Sequence, residues 1–266
     1  MNLSQVLASI SFVACIVSAL VMALYLFRKD AAFDRVSPWS LGLSSLCAFA
    51  SLALRSMQIG FVALTSTYES LLFYASVITA LVLLARIQKR IPFVRGAAFG
   101  SVFVAIVIMA VASSPLLPKE ALSPIPALRS GWLLLHVSFS FIGEAFFVSG
   151  FVASIMFLVI KSRDKRDSLD RITYTMIAIG YAFFTSGALV FGSIWAQKAW
   201  GRWWSWDPKE TWALVSWLVY TLYLHIRLNK KRKDSLPSVV SVIGFLCTVF
   251  TFFGVNYLLP GLHSYG

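Results

Sequence analysis

The chain has 266 residues, of which 59% are apolar and 13% charged. A soluble globular domain is about half apolar and about a quarter charged, so a fold of this length has too few polar side chains to cover itself in water. A formal charge of +12 would suggest nucleic acid in a soluble protein. Here the basic residues sit in short clusters between apolar runs, the pattern that orients a membrane protein, and this argues against a nucleic-acid partner.

A spanning helix needs about 20 mostly apolar residues. Runs of that kind occupy residues 3–27, 39–64, 68–87, 93–112, 131–160, 172–197, 211–228 and 239–259. They predict an all-α polytopic membrane protein, a bundle of about eight transmembrane helices forming a single integral membrane domain over residues 1–266. The first run has no basic segment ahead of it and no small-residue cleavage site, so it reads as a retained span. Ser66-Thr67-Tyr68-Glu69 has the form of a capping box opening the third span. The fifth run is long enough to tilt or to project beyond the bilayer. Arg55 and Glu144 fall inside spans, where a charge is costly and carries a presumption of function. Cys15, Cys47 and Cys247 all lie in apolar runs and form no CxxC pair, which argues against thiol redox chemistry and a thiolate metal site. No CxxCH occurs, so the chain is not itself a c-type cytochrome.

Alternate connections carry 17 Lys and Arg on one side and five on the other, with Arg55 inside a span. The positive-inside rule then puts both termini outside, together with the Pro-rich connection 114–130 and a tryptophan-rich connection over residues 197–210.

Seven of the nine tryptophans fall between Trp195 and Trp217. An aromatic belt would spread them over many spans and both interfaces, whereas one connection holds Trp200, Trp203, Trp204 and Trp206. Clustered indoles offer wide rigid faces to a flat apolar ligand, and each keeps one N–H donor for a polar edge. Arg202, Lys198 and Lys209 are placed to meet carboxylates on such a ligand. Haem combines an apolar plane with two propionates and fits this chemistry; a quinone or a lipid headgroup fits the aromatics but uses the cations less well. Asp207, Pro208 and Glu210 also read as an N-cap, a proline at N1 and a capping-box acid opening the seventh span. For Asp207 and Glu210 that role is favoured over ligand contact.

The chain has three histidines. His136 sits near the outer end of the fifth span and His263 just beyond the outer end of the eighth, so both face the compartment of the tryptophan connection. Neutral imidazole is a standard axial ligand of haem iron, and two from separate elements make a candidate metal-ligand pair. His225 lies 14 residues past Thr211, about 21 Å along the seventh span, in the inner half of a core about 30 Å thick. Either it is structural or its counterpart comes from another polypeptide.

The stretch Trp200-Gly201-x-x-Trp204-x-Trp206-Asp207-Pro208-Lys209-Glu210-Thr211-Trp212 resembles the tryptophan-rich WWD signature of haem-handling proteins. Its Asp-Pro-Lys-Glu-Thr-Trp continuation is similar to the CcsA (ResC) family of system II cytochrome c biogenesis. So are Tyr68-Glu69-Ser70-Leu71-Leu72-Phe73, Leu135-His136-Val137 and Gly261-Leu262-His263-Ser264-Tyr265-Gly266, in the same order as in the family. The resemblance implies haem b (protohaem) as cofactor, with His136 and His263 ligating iron on the outer side and the WWD connection beside them. It also implies that His225 serves an inner haem site shared with a CcsB (ResB) partner, and that apocytochrome c, through its CxxCH segment, is the acceptor. The expected activity is that of a cytochrome c synthase subunit in a bacterial-type inner or plasma membrane, or a thylakoid membrane. The chain is compact, without a long N-terminal extension or a fused CcsB portion, so the partner is expected to be a separate protein. Two alternatives stay open: a regulatory haem-binding relative of the HemX kind, and a transporter of an amphipathic aromatic solute.

Overall fold

The computed structural model describes residues 2–28, 31–88, 94–230 and 235–259, and among them the regular structure is all helical. Eight long helices follow one another: α1 Leu3–Arg28, α2 Ala31–Ile59, α3 Thr67–Ile87, α4 Arg95–Ser113 and α5 Gly131–Val159. They continue with α6 Arg163–Trp200, α7 Pro208–Lys230 and α8 Ser235–Leu258. Seven of them, all but α7, are long and apolar enough to cross a membrane. Large apolar side chains face outward along them, among them Val13, Leu20, Leu46 and Phe103, each more than half exposed. A surface of that kind has lipid as its solvent. The protein is an all-helical polytopic membrane protein. α7 differs because its polar residues lie on its packed face and at its two ends, while Leu218 and Leu222 point outward.

Two helix boundaries depart from the apolar pattern. α2 ends at Ile59, not near residue 64, because Gly60 adopts the left-handed conformation (φ 64°) that closes a helix. The apolar residues after it are a loop whose side chains tuck inward, with Ala63 and Leu64 buried. α6 begins at Arg163, so the basic residues up to Arg171 form its first turns and are not a connection. Those turns project charge beyond the apolar stretch that starts at Ile172.

The chain packs as two compact units, one through Arg129 and one from Ser130. In the first unit, α1 and α2 are joined by serines seven residues apart, at positions 4, 11 and 18 against 37, 44 and 51. Ser11 Oγ donates to Ser44 O at 2.7 Å and Ser44 Oγ donates back to Ser11 O at 2.9 Å. Ser51 Oγ donates to Ser4 O at 2.6 Å, and Ser18 Oγ to Ser40 Oγ at 2.6 Å. A seven-residue repeat keeps one seam facing its partner helix, and small hydroxylated residues let two membrane helices approach and bond.

Arg55 is the polar centre of this unit, 1% exposed on α2. Its Nε donates to Glu69 Oε1 at 2.6 Å, and its two terminal nitrogens donate to the carbonyls of Lys119 and Glu120. Glu69 Oε2 accepts from Thr65 N and Ser66 N, both at 3.0 Å, and Ser66 Oγ accepts from Glu69 N. The expected capping box is present, and the buried charge that had no evident partner in the sequence is held by it. Residues 119–120 are thereby tied to the ends of α2 and α3.

In the second unit, α5 and α6 cross backbone on backbone. A Cβ added at Gly143 would stand 2.8 Å from Gly180 O, and one at Gly180 would stand 2.8 Å from Gly143 O. The core around this crossing comprises Phe147, Ile177, Phe184, Tyr220 and Tyr223 with Ala213 and Val240. Two stretches are wound as π-helix, Thr185–Phe191 in α6 and Phe250–Gly254 in α8. Such segments are rare and frequently mark functional sites.

Candidate functional site

The π segment of α6 and the first turns of α5 build the site around His136. The carbonyl of Gly187 accepts the N–H of Gly192, a bond spanning five residues, and it also accepts His136 Nδ1 at 2.9 Å. A carbonyl oxygen only accepts, so Nδ1 carries a proton, and in the neutral imidazole Nε2 is then the lone-pair nitrogen. This is the tautomer that a metal-ligating histidine needs, fixed by a backbone partner. Both glycines are required by space. A Cβ at Gly187 would press on the backbone of Phe139 and Ser140, and one at Gly192 would stand 2.9 Å from His136 Nδ1. The ring of His136 lies parallel to Trp195, with centroids 6.1 Å apart and planes 4° apart.

From Trp195 the aromatic surface continues into the loop after α6. Trp195 and Trp200 meet edge to face at 5.9 Å. α6 ends at Gly201, in the left-handed conformation at φ 75°, and the chain runs without helix to Asp207. Trp204 and Trp206 meet edge to face at 5.8 Å. Trp203 and Trp206 are exposed, at 60% and 68%. Trp206 has a positive φ of 59°, a conformation that a bulky side chain rarely adopts and that is stored at functional sites when the surroundings impose it.

What imposes it is the start of α7. Asp207 Oδ2 accepts from Lys209 N at 3.1 Å, and Glu210 Oε2 accepts from Asp207 N at 3.3 Å, so the expected cap and capping-box acid are in place with Pro208 as the first helical residue. Glu210 Oε2 also accepts from Ser205 N at 2.7 Å and Ser205 Oγ at 3.0 Å. The carboxylate therefore fixes the loop from below. Asp207 is 6% exposed and its side chain serves the helix.

The cations divide. Arg202 and Lys198 are exposed, and Lys198 Nζ stands 5.7 Å from the ring centroid of Trp132. Lys209 turns inward: its Nζ donates to Asn256 Oδ1 at 3.0 Å. It is not presented beside the indoles as its sequence position suggested, because its helix register carries it under the loop. His225 is exposed on α7, and Asn229 Nδ2 lies 2.9 Å from its Nε2. His263 lies outside the described residues.

Haem fits the donors that are present. His136 supplies an oriented imidazole, the indoles an apolar wall. The indole Nε1 atoms of Trp200 and Trp204 are buried and have no hydrogen-bond partner among the described residues; as donors only, they suit an acidic edge. Ser205, Gly187 and Gly192 complete the site and are not marked by the sequence; Glu210 is marked as a capping acid, and its hold on Ser205 is the addition. The five-residue interval between Gly187 and Gly192, inside a span, was the available signal.

Residues 66–263 match the family model of the cytochrome c assembly protein. The chain is 37% identical to the cytochrome c biogenesis protein CcsA of Chlamydomonas reinhardtii, over 94% of this chain and 72% of that protein. It is 32% identical to CcsA of Porphyra purpurea over 93% and 94% of the two chains, and 31% identical to CcsA of Synechococcus elongatus over 85% and 86%. Among solved structures it superposes on the cytochrome c haem lyase CcmF with a TM-score of 0.74 at 16% identity, covering 97% of this chain. The likeness takes in about half, 47%, of the CcmF chain and shows a shared fold. Matched by the family model over residues 66–263 and by these relatives over most of its length, the chain belongs to the CcsA family of cytochrome c biogenesis proteins.

Proposed function

We propose that the chain binds haem b beside the tryptophan loop and presents it to the two cysteine thiols of an apocytochrome c CxxCH segment, as one subunit of a cytochrome c synthase. The observation that carries this reading is His136, locked by Gly187 into the tautomer that leaves Nε2 as its lone-pair nitrogen, next to buried indole donors that have no partner among the described residues. Haem is the substrate in this reaction. It supplies the vinyl carbons to which thiols add.

The chain's own residues bind and orient. His136 and His263 would hold the iron and shield it from water. Trp200 and Trp204, backed by buried Trp195, would line the porphyrin, and the Trp200 and Trp204 N–H groups would be the donors for its propionates. Arg202 would neutralise a propionate, and Trp203 and Trp206 would meet the incoming apocytochrome segment; their exposure supports both roles. No nucleophile or general base in the chain is required; its contribution is positioning and exclusion of water. His225, exposed on α7, is the proposed contact to a CcsB (ResB)-type membrane partner and to an inner haem. In this reading both units belong to one membrane domain, with the loop on the periplasmic or lumenal side of a bacterial-type or thylakoid membrane.

The test is co-expression of the chain with a CcsB-type partner and a reporter apocytochrome c, scored by covalent haem stain. Wild type yields stained reporter; Trp200→Phe with Trp204→Phe, which keep the rings and remove the donors, lower the yield several-fold. Full yield without this chain, while the partner is present, contradicts the reading. It would favour the regulatory alternative.

A further inference from the structure

We infer that haem reaches His136 sideways from the bilayer, along a strip of aromatic rings where α5 and α6 lie side by side. Trp132, Phe139 and Phe146 stand seven residues apart on α5, two helical turns, so they share one face. His136 lies on the same face, between the first two. Phe191 and Phe183 of α6 fill the gaps. Between ring centroids, Trp132 meets Phe191 at 6.2 Å and Phe191 meets Phe139 at 5.1 Å. Phe139 then meets Phe183 at 5.5 Å, and Phe183 meets Phe146 at 6.1 Å. Every ring touches the next. From Trp132 to Phe146 the strip follows α5 for about 21 Å at 1.5 Å per residue, more than half of a hydrocarbon core of about 30 Å.

The glycines that give His136 its space continue into this strip. A Cβ at Gly192 would stand 2.9 Å from His136 Nδ1, one at Gly187 2.8 Å from Phe139 Cβ, and one at Gly180 2.9 Å from Phe146 Cβ. Three glycines of α6 therefore seat, in order, the imidazole and two rings of α5, and the proposed ligand is the top of one continuous row. Packing against lipid does not call for such a row. Lipid tails are as apolar as leucine, so an aliphatic side chain serves a lipid-side position equally well, whereas flat rings suit a flat apolar ligand. All five rings are half-buried, and Ala182 and Val190, the chain neighbours of Phe183 and Phe191, are exposed. The row thus lies at the surface of the helix pair.

The two ends of the strip specify its occupant. At the loop end, exposed Lys198 on the last turn of α6 holds its Nζ 5.7 Å from the ring centroid of Trp132. The rings below it are phenylalanines without a polar atom. The ligand that fits is apolar over most of its plane and acidic along one edge, with that edge toward the tryptophan loop. A porphyrin dicarboxylate has this form; an acyl chain would use neither the ring faces nor the cation. That the porphyrin ends on His136 rests on the haem reading above, and the strip itself does not.

The test uses the full chain in lipid vesicles and two probes. Metal-free protoporphyrin IX keeps the plane and both carboxylates but has no iron to ligate, and its binding is read by fluorescence anisotropy. Wild type and His136→Ala are expected to bind it saturably. Phe146→Leu with Phe183→Leu, which keep apolar volume and remove two planes, weaken that binding by about tenfold, and Lys198→Gln weakens it less. Leu218→Ala, at an exposed position of α7, leaves it unchanged. The second probe is haem dissolved in separate vesicles, with its arrival followed by stopped-flow Soret absorbance. The double variant slows arrival by about tenfold and reaches the wild-type final band. Protoporphyrin that does not saturate, which would mean that lipid tails cover the strip, overturns the inference. So does wild-type protoporphyrin binding, or wild-type haem arrival, in the double variant. Protoporphyrin binding of the expected pattern with no haem band in wild type contradicts the haem reading and not the strip.

Discussion

His136 shows how much a single imidazole depends on backbone it does not belong to. Its ring nitrogen is aimed by a carbonyl that exists in that place because α6 is wound as a π-helix there, and two glycines give the ring its space. Gly192→Ala is the smallest change that tests this. The added methyl would contact Nδ1, tilt the ring off Gly187 and weaken haem retention by about tenfold, or about 1.4 kcal/mol. Soret absorbance per protein during dialysis measures it, and retention equal to wild type contradicts the positioning role. At this scale the sequence was informative where chemistry is local. Asp207, Glu210 and Glu69 were readable as caps because a cap needs only three or four neighbouring residues. Lys209 was misplaced beside the ligand because its direction depends on helix phase, and the Gly187 contact was hidden because it joins residues 51 positions apart.

At the scale of elements, the helices were legible and some of their ends were not. Apolar length marks a span, but residues 61–64 are apolar for a different reason, burial inside a turn after Gly60. The first turns of α6 are charged and helical because they extend beyond the apolar stretch, where water satisfies the side chains. The serine repeat joining α1 to α2 is visible at seven-residue spacing once a partner helix is known. Arg55 is the element-scale joint with the largest predicted consequence. Removing one partner of a buried ion pair leaves the other charge uncompensated, a loss of about 3 kcal/mol or more. Arg55→Met is therefore expected to lower the melting temperature of the purified protein in detergent. Adding Glu69→Gln recovers part of the loss, since Glu69 then no longer buries an unpaired charge. An unchanged melting temperature in Arg55→Met would show that the pair does not hold the connection.

For the whole molecule, the composition alone required lipid as solvent, and the helical structure with its outward apolar surface agrees. Family membership connects that architecture to cytochrome c biogenesis. The orientation proposed from 17 basic residues against five has a direct test in a cysteine-free background. A cysteine at Ser205 is expected to react with a membrane-impermeant maleimide in intact cells, and one at Ser168, in the basic start of α6, only after permeabilisation. The reverse pattern would invert the protein and place the tryptophan loop away from the compartment where c-type cytochromes receive haem.

The central claim is that His136 ligates haem. Absorption spectroscopy of the full chain, purified in detergent with its partner from haem-replete cells, tests it most directly. The account predicts a Soret band and reduced α/β bands of six-coordinate low-spin haem in wild type, with most of that signal lost in His136→Ala and partly regained on adding imidazole. A colourless wild type, or an unaltered spectrum in His136→Ala, would contradict it.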